Sequence, residues 1–440
     1  MKETITLSRR EVQRMQVLDQ VVRGALTLRA ASVMMKVCYR QAKRLLARYR
    51  REGPRGLAHQ RRGQPAHNGL GAEVREQVLA LHRDSYAQFN DTHFVEMLAE
   101  REGLRIGRET VRRWLREAGI RPKRRRRPPK HRSRRPRRPQ MGLLMQWDGS
   151  PHRWFGPQRP PCSLLHATDD ATGTVLGALF RPQEDAIGYL RLLDMVARRH
   201  GVPAAAYQDR HSALYRNDDH WSHEEELAGV RFPTHVGRVL QELAIETIPA
   251  FSAQAKGRIE RQGGTFQDRL VAEMALEGIT EIDLASEWLD KFFLERFNAR
   301  FAKSPELPRS AFRKISAAQR HLKISFAYEA TVANDNTVRL GGLVIDIPPG
   351  PNRRSYARRR VLACQHLDGA WTLWLEGTCI GRHAPTPLRE PLRSWRPRQH
   401  GKNRHARHIF QVYYETIPAP NPGGHSSLAV RGDTFAWLSH

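Results

Sequence analysis

The sequence predicts a multidomain chain: all-α helix-turn-helix units at the N-terminus, an α/β core with a mixed sheet, and a small β-barrel towards the C-terminus. Three observations predict it. Apolar stripes at helical spacing with basic opposite faces occupy residues 1–120. An Arg- and Pro-rich run, residues 121–140, then interrupts all regular structure. Beyond it short apolar strands alternate with helices, until the hydrophobic period drops to two after residue 325. A length of 440 residues suits two to four domains.

The first unit, residues 1–65, carries three helices. Ser8 offers an N-cap to a helix whose apolar stripe is Val12, Met15, Leu18, Val21 and Val22. The third helix closes at Gly53 and presents Arg40, Lys43, Arg44, Arg48, Arg50 and Arg51. This is the pattern of a helix-turn-helix, whose last helix enters the major groove, against the alternative of a plain basic bundle. The tight turn usually holds a glycine; here Lys36 and Cys38 stand there. Residues 72–120 repeat the pattern and end on a basic helix with Arg108, Arg112, Arg113 and Arg116 flanking Val111, Trp114 and Leu115.

The linker, residues 121–140, holds 12 cationic side chains, Arg124, Arg125 and Arg126 among them, five prolines and no acidic residue. Such a segment cannot bury a core and stays extended until it meets an anion. The whole chain carries a formal net charge of +29 and a pI near 11, which selects a polyanionic partner. Double-stranded DNA fits; a membrane does not, because no apolar run approaches the roughly 20 residues that span a bilayer. The N-terminus lacks an apolar signal core. Four scattered cysteines without zinc spacing read as reduced thiols. The expected place is the cytoplasm, on DNA in the bacterial nucleoid.

The core, residues 141–280, reads strand, strand, strand, helix, strand, helix, strand, helix. Asp148 ends the first strand, Asp209 ends the fourth, and Glu260 lies near the start of the last helix. If the first and fourth strands are neighbours, the two aspartates meet at one sheet edge, and a helix packed there brings Glu260 to them. Three carboxylates with open positions suit hard divalent cations such as Mg²⁺. The bland alternative for Glu260 is a solvated charge on an amphipathic helix. Lys256, Arg258 and Arg261 either hold a DNA phosphate or are ordinary surface cations. His152 and His211 follow the aspartates and either orient substrate or sit at the core edge. Asp169 and Asp170 read as turn carboxylates, and Glu225 and Glu226 as acids of a polar loop.

A helical connection, residues 281–324, leads to the barrel, residues 325–385, in which Trp371 and Trp374 face opposite sides of one strand. The tail, residues 386–440, is rich in Arg, His and Pro and is expected to be poorly ordered.

The stretches "QWDGSPHRWFG", "DDATG", "YQDRHSALYRND" and "SAQAKGRIERQGGTFQDRL" resemble the DDE insertion-sequence transposases of the ISNCY type. The resemblance covers about 380 residues. It implies a retroviral-integrase-like, RNase H-like core in which Asp148, Asp209 and Glu260 bind two Mg²⁺ ions, with Mn²⁺ able to substitute. It further implies cleavage of element ends and transfer of the freed 3′-OH into target DNA, by at least a dimer. Two rivals stand beside it: a non-catalytic DNA-binding regulator and a structure-selective nuclease of the RNase H type.

Overall fold

The computed structural model describes residues 6–59, 70–123, 128, 135–209, 211–216, 226, 232–250, 253–386, 390–392 and 410–412. They form two compact units, residues 1–81 and 82–440.

The first unit packs α1 (Arg9–Val22), α2 (Leu28–Met34) and α3 (Tyr39–Glu52); α4 (Ala72–Asp84) begins within it. Ser8 caps α1 as expected, in a capping box with Glu11. Glu11 also accepts the His59 N–H at 2.9 Å, which ties the end of the unit to its start. Val17, Leu18, Ala31, Met35, Ala42, Leu45, Leu46 and Leu57 form the core. The turn between α2 and α3 closes without glycine. Lys36 takes the left-handed conformation, φ 54°, while its N–H donates to Val33 O and the Val37 N–H to Ser32 O, both at 3.0 Å. That is the Schellman pattern, with lysine where glycine is cheapest. Cys38 occupies the N-cap of α3 without a side-chain hydrogen bond. Because Ala42, Leu45 and Leu46 face inward, Arg40, Lys43 and Arg44 are exposed together.

The second unit is built on a sheet of five strands among the described residues: β1 (Met145–His152), β2 (Cys162–Asp169), β3 (Val175–Arg181), β4 (Ala205–Gln208) and β5 (Glu246–Pro249). Their order is β3-β2-β1-β4-β5. The first three are antiparallel; β4 runs parallel to β1, and β5 parallel to β4. This is the mixed sheet expected of the core. One face, with Met145, Trp147, Leu165, Ala167 and Ala206, buries itself against α7 (Ala186–Arg199) and α8 (His235–Glu242). The other, with Cys162, Leu164, Ala178 and Phe180, packs on α9 (Ala253–Leu276), α10 (Ile282–Trp288) and α11 (Leu294–Phe301). A π-turn, Leu289–Phe293, joins α10 to α11; the stretch reads in sequence as one uninterrupted helix.

Residues 72–120 read as a unit of their own, yet α5 (Asp91–Glu100) and α6 (Arg108–Glu117) group with the core. Polar and ionic pairs hold α5 there. Buried His93 meets buried Glu273 at 2.9 Å, Arg269 reaches Glu96 at 2.5 Å, and Arg300 reaches Glu100 at 2.7 Å.

Towards the C-terminus, α12 (Ala317–Lys323) leads into β6 (Ser325–Thr331), a strand that the sequence reading passed over. It joins β9 (Arg360–His366), β10 (Trp371–Leu375) and β11 (Thr378–His383) in the order β11-β10-β9-β6. A second sheet has the order β12-β8-β7, from β7 (Thr337–Leu340), β8 (Leu343–Asp346) and β12 (Phe410–Val412). Both surround one core that includes Val338, Ile345, Val361, Trp371 and Leu373. A barrel was expected; among the described residues these are two sheets, and no ladder closes them into a ring. β12 gives regular structure to part of the tail expected to have none. Trp371 is core, as one of the two tryptophans had to be, and Trp374 is half-buried.

Candidate active site

The 61-residue interval between Asp148 and Asp209 is the register of the β1–β4 ladder. Met145 pairs with Ala206 and Gln146 with Tyr207, and 206 − 145 = 61. The Trp147 indole N–H donates to Gln208 Oε1 at 3.1 Å, one step further along. Continuing the offset puts Asp148 level with Asp209. Asp148 does not end its strand, as the sequence suggested. The antiparallel ladder with β2 carries β1 on to His152, opposite Cys162, whereas the parallel ladder with β4 stops before the aspartate. Asp148 therefore lies mid-strand on one side and past the strand end on the other, where a ligand can approach it.

Alternation along β1 decides the face. Gln146, Asp148 and Ser150 share one side, and their neighbours there belong to α9: the Gln267 side-chain amide donates to Ser150 Oγ at 3.1 Å, and Phe266 packs on His166, the partner of Asp148 in β2. On α9, Arg258 and Gln262 turn towards the β2–β3 side. Arg258 binds Asp170 at 2.7 Å, and Gln262 accepts from Thr168 Oγ1 at 2.6 Å. At about 100° per residue, Glu260 lies about 200° round the helix from Arg258. It shares the flank of Gly263 and Gln267, the flank that reaches Ser150 of β1. Glu260 is exposed, while Asp148 and Asp209 are half-buried. Among the described residues no three His, Cys, Asp or Glu side chains are grouped as a metal site.

A fourth carboxylate, Glu184, was missed in the sequence. It lies just before α7, where Asp185 supplies the N-cap, so by sequence it reads as a helix-terminal surface charge. Instead it presses on Gly149, where a Cβ atom would come within 2.2 Å of its Oε2, and it accepts a hydrogen bond from the Tyr189 hydroxyl. Burial raises its pKa, and the charges of Asp209 and Asp148 raise it further, against the lowering effects of Tyr189 and His211. Asp148, Asp209 and Glu184 thus share one field, although coulombic coupling reaches farther than coordination. The donor set is all oxygen on a half-exposed edge, which fits a hard divalent cation and no soft one.

Of the two histidines, His211 belongs to this edge. Its backbone N–H donates to Asp209 Oδ1 at 3.2 Å, and its Nδ1 stands 3.7 Å from Glu184. His152 lies edge-on to Trp154, ring centroids 5.3 Å apart, at the border of the core. Asp169 is the turn carboxylate expected, accepting from Thr172 N and Oγ1 at 2.8 Å, though it is buried and also accepts from the Gly142 N–H at 2.8 Å. Asp170 is not: it is buried and takes four donors. These are Arg135 at 2.6 Å, the Arg138 backbone N–H at 2.8 Å, Gln146 at 2.5 Å and Arg258 at 2.7 Å. Burial alone would raise its carboxyl; these hydrogen bonds and the charges of Arg135 and Arg258 overbalance that and hold it below the usual carboxylate range.

Among the cations expected at DNA, Arg40, Lys43 and Arg44 lie together on α3, and Lys43 covers the Tyr39 ring at 4.9 Å. Arg108 and Arg112 pair with Glu109 and Arg113 with Glu117 on α6, exposed contacts that hold a side chain only weakly. Arg124, Arg125, Arg126, Glu225 and the Lys256 side chain lie outside the described residues. No helix among the described residues is long and apolar enough to cross a membrane.

A helix-turn-helix domain model matches residues 13–66, and a homeodomain-like domain model matches residues 41–115. The chain is 28% identical to the transposase for insertion sequence IS1202 of Streptococcus pneumoniae over 82% of its own length and 83% of that protein. Among solved structures, a simian T-cell lymphotropic virus intasome aligns at 16% identity and TM-score 0.29, covering 67% of this chain and 91% of that one. The HTLV-2 integrase catalytic core domain in complex with magnesium aligns at 14% identity and TM-score 0.24, covering 34% and 86%. A protein of Sinorhizobium fredii named as a transposase, y4bF, is 38% identical over 72% of this chain and 68% of its own. With the helix-turn-helix units and mixed sheet already described, that identity shows that the chain belongs to the insertion-sequence transposases.

Proposed function

We propose that the protein binds the ends of its mobile element through the helix-turn-helix helices, cuts a phosphodiester there, and joins the freed 3′-OH to target DNA. The observation that carries this is the shared register of Asp148 and Asp209 on the sheet face beneath α9. Two aspartates 61 residues apart in sequence are drawn level by a parallel ladder, and Glu184 stands in the field of both.

Asp148, Asp209 and Glu260 would hold Mg²⁺, or Mn²⁺ in its place, at two positions. When bound, such ions activate a water or a 3′-hydroxyl and stabilise the leaving oxygen of an in-line displacement. The chain's own residues do the rest. The His211 N–H steadies Asp209, and the packing of α9 on β1 sets the approach of Glu260. Arg40, Lys43 and Arg44 on α3, with the arginines of α6, grip the duplex. Cutting and joining require two ends held together, so the working form is at least a dimer on DNA.

The test is strand cleavage and joining on labelled DNA from the gene's own flanks, with Mg²⁺ or EDTA and with Glu260→Gln. The expected result is metal-dependent 3′-end joining that falls by at least about 10²-fold in the variant, since groups that merely support metal ligands can already cost that much. Tight binding to the flanks with no product, Mn²⁺ included, would make the protein a regulator. Cleavage indifferent to Glu260 would remove it from the site.

A further inference from the structure

Among the described residues, few contacts hold the first turns of α9. Ala253–Leu276 is a single helix, but Gly257, Gly263 and Gly264 weaken it by about 1 kcal/mol each relative to alanine. Its apolar anchors in the second core cluster, Phe266, Leu270 and Met274, come after Glu260. Ahead of them Ile259 is buried, and the remaining fastening among the described residues is polar. Arg258 donates to Asp170 and to the Arg135 carbonyl, and Gln262 meets Thr168 and the Gly173 carbonyl.

Asp170 is the centre of that fastening. One carboxylate joins the end of the basic linker, through Arg135 and Arg138, to β1 through Gln146 and to α9 through Arg258. Gln146 stands two residues before Asp148 on the same face of β1. Arg258 stands two residues before Glu260. The same carboxylate therefore spans the two elements that carry these acids, and its side chain has no exposed surface on which water could replace the donors.

We propose that Asp170 is a positioning residue: through Arg258 it fixes the first turns of α9, and so sets Glu260 against Asp148. This rests on Glu260 being a metal ligand, and the experiment separates the two claims. Asp170→Asn, Arg258→Gln and the double variant are compared with the intact chain in two measurements.

The first measurement is backbone hydrogen exchange on metal-free protein without DNA. Either single variant should speed exchange in residues 257–262 and leave residues 266–276 unchanged. The second is end joining at graded Mg²⁺. Each single variant should raise the Mg²⁺ concentration for half-maximal rate about tenfold, with affinity for end DNA unchanged, as loss of an outer support to a metal ligand does. The double variant should be no worse than Asp170→Asn alone, because Arg258 acts through that carboxylate.

Multiplying effects, a loss of DNA affinity in Arg258→Gln that Asp170→Asn does not share, or unchanged exchange in residues 257–262 would each overturn the proposal. If Asp170→Asn does not accumulate folded, Arg258→Gln decides, by the exchange pattern and the Mg²⁺ shift. A faster-exchanging helix start with joining indifferent to Glu260→Gln would leave the fastening intact and refute the ligand role instead.

Discussion

At the scale of single residues, the structure bends local rules where a larger requirement outweighs them. Lys36 adopts a left-handed conformation, φ 54°, that costs an L-residue about 1–2 kcal/mol, because the Schellman hydrogen bonds and the packing of Met35 beneath them demand a turn there. Lys36→Gly should remove that cost. Exchange of the buried α3 amides should slow by the equivalent of about 1 kcal/mol; unchanged or faster exchange would mean that the lysine side chain supplies a contact worth more than the strain. Asp170 is a second case. A carboxylate in a turn is ordinarily solvated, but here it is buried under two arginines, a glutamine and a backbone N–H, and the clustered donors make its ionised form the stable one.

At the scale of elements, α9 divides into a start weakened by Gly257, Gly263 and Gly264, which carries Glu260, and an apolar remainder from Phe266 onward. Gly264 faces open space, with nothing within 4 Å of a built Cβ, so no contact explains a glycine there. Gly264→Ala should stabilise the helix by about 1 kcal/mol and raise the thermal midpoint of the second unit by about 1–2 °C. A lower midpoint would show that the helix needs to bend at this point. α5 and α6 illustrate how an element changes its allegiance. Their own periodicity describes a free-standing three-helix unit, but Glu96, Glu100 and Glu273 meet Arg269, Arg296, Arg300 and His93 in a half-buried network that attaches α5 to α9 and α11. Networks of this kind hold geometry better than isolated surface pairs do.

At the scale of the whole molecule, the charge of +29 dominates encounters with DNA. If about six phosphates are neutralised, log–log plots of affinity for end DNA against salt should have a slope of about −5. Fluorescence anisotropy between low and moderate salt measures it, and a slope shallower than about −2 would mean that most of the excess charge is not at the DNA. The sheet order β3-β2-β1-β4-β5 is the other global feature: it places the parallel junction of β1 and β4 inside the sheet, with helices on both faces.

Much of this was legible in one dimension. The order of strands and helices in the core, the capped helices of the first unit and the identity of the acids worth watching all follow from periodicity, turn chemistry and charge, which act between near neighbours. The level pairing of Asp148 with Asp209 was visible only as a number, 61, until the parallel ladder gave it meaning. Glu184 and Asp170 could not be found that way. One reads as a helix-end charge and the other as a turn residue, because burial and approach by Tyr189, Gly149, Arg135 or Arg258 come from parts of the chain remote in sequence. The same holds for the attachment of α5 to α9 and for strands that form two sheets where a barrel was expected. Local propensity determines which elements form and which faces they must bury. Which charges those faces bring together is a long-range matter of packing and electrostatics, and only the tertiary structure decides it.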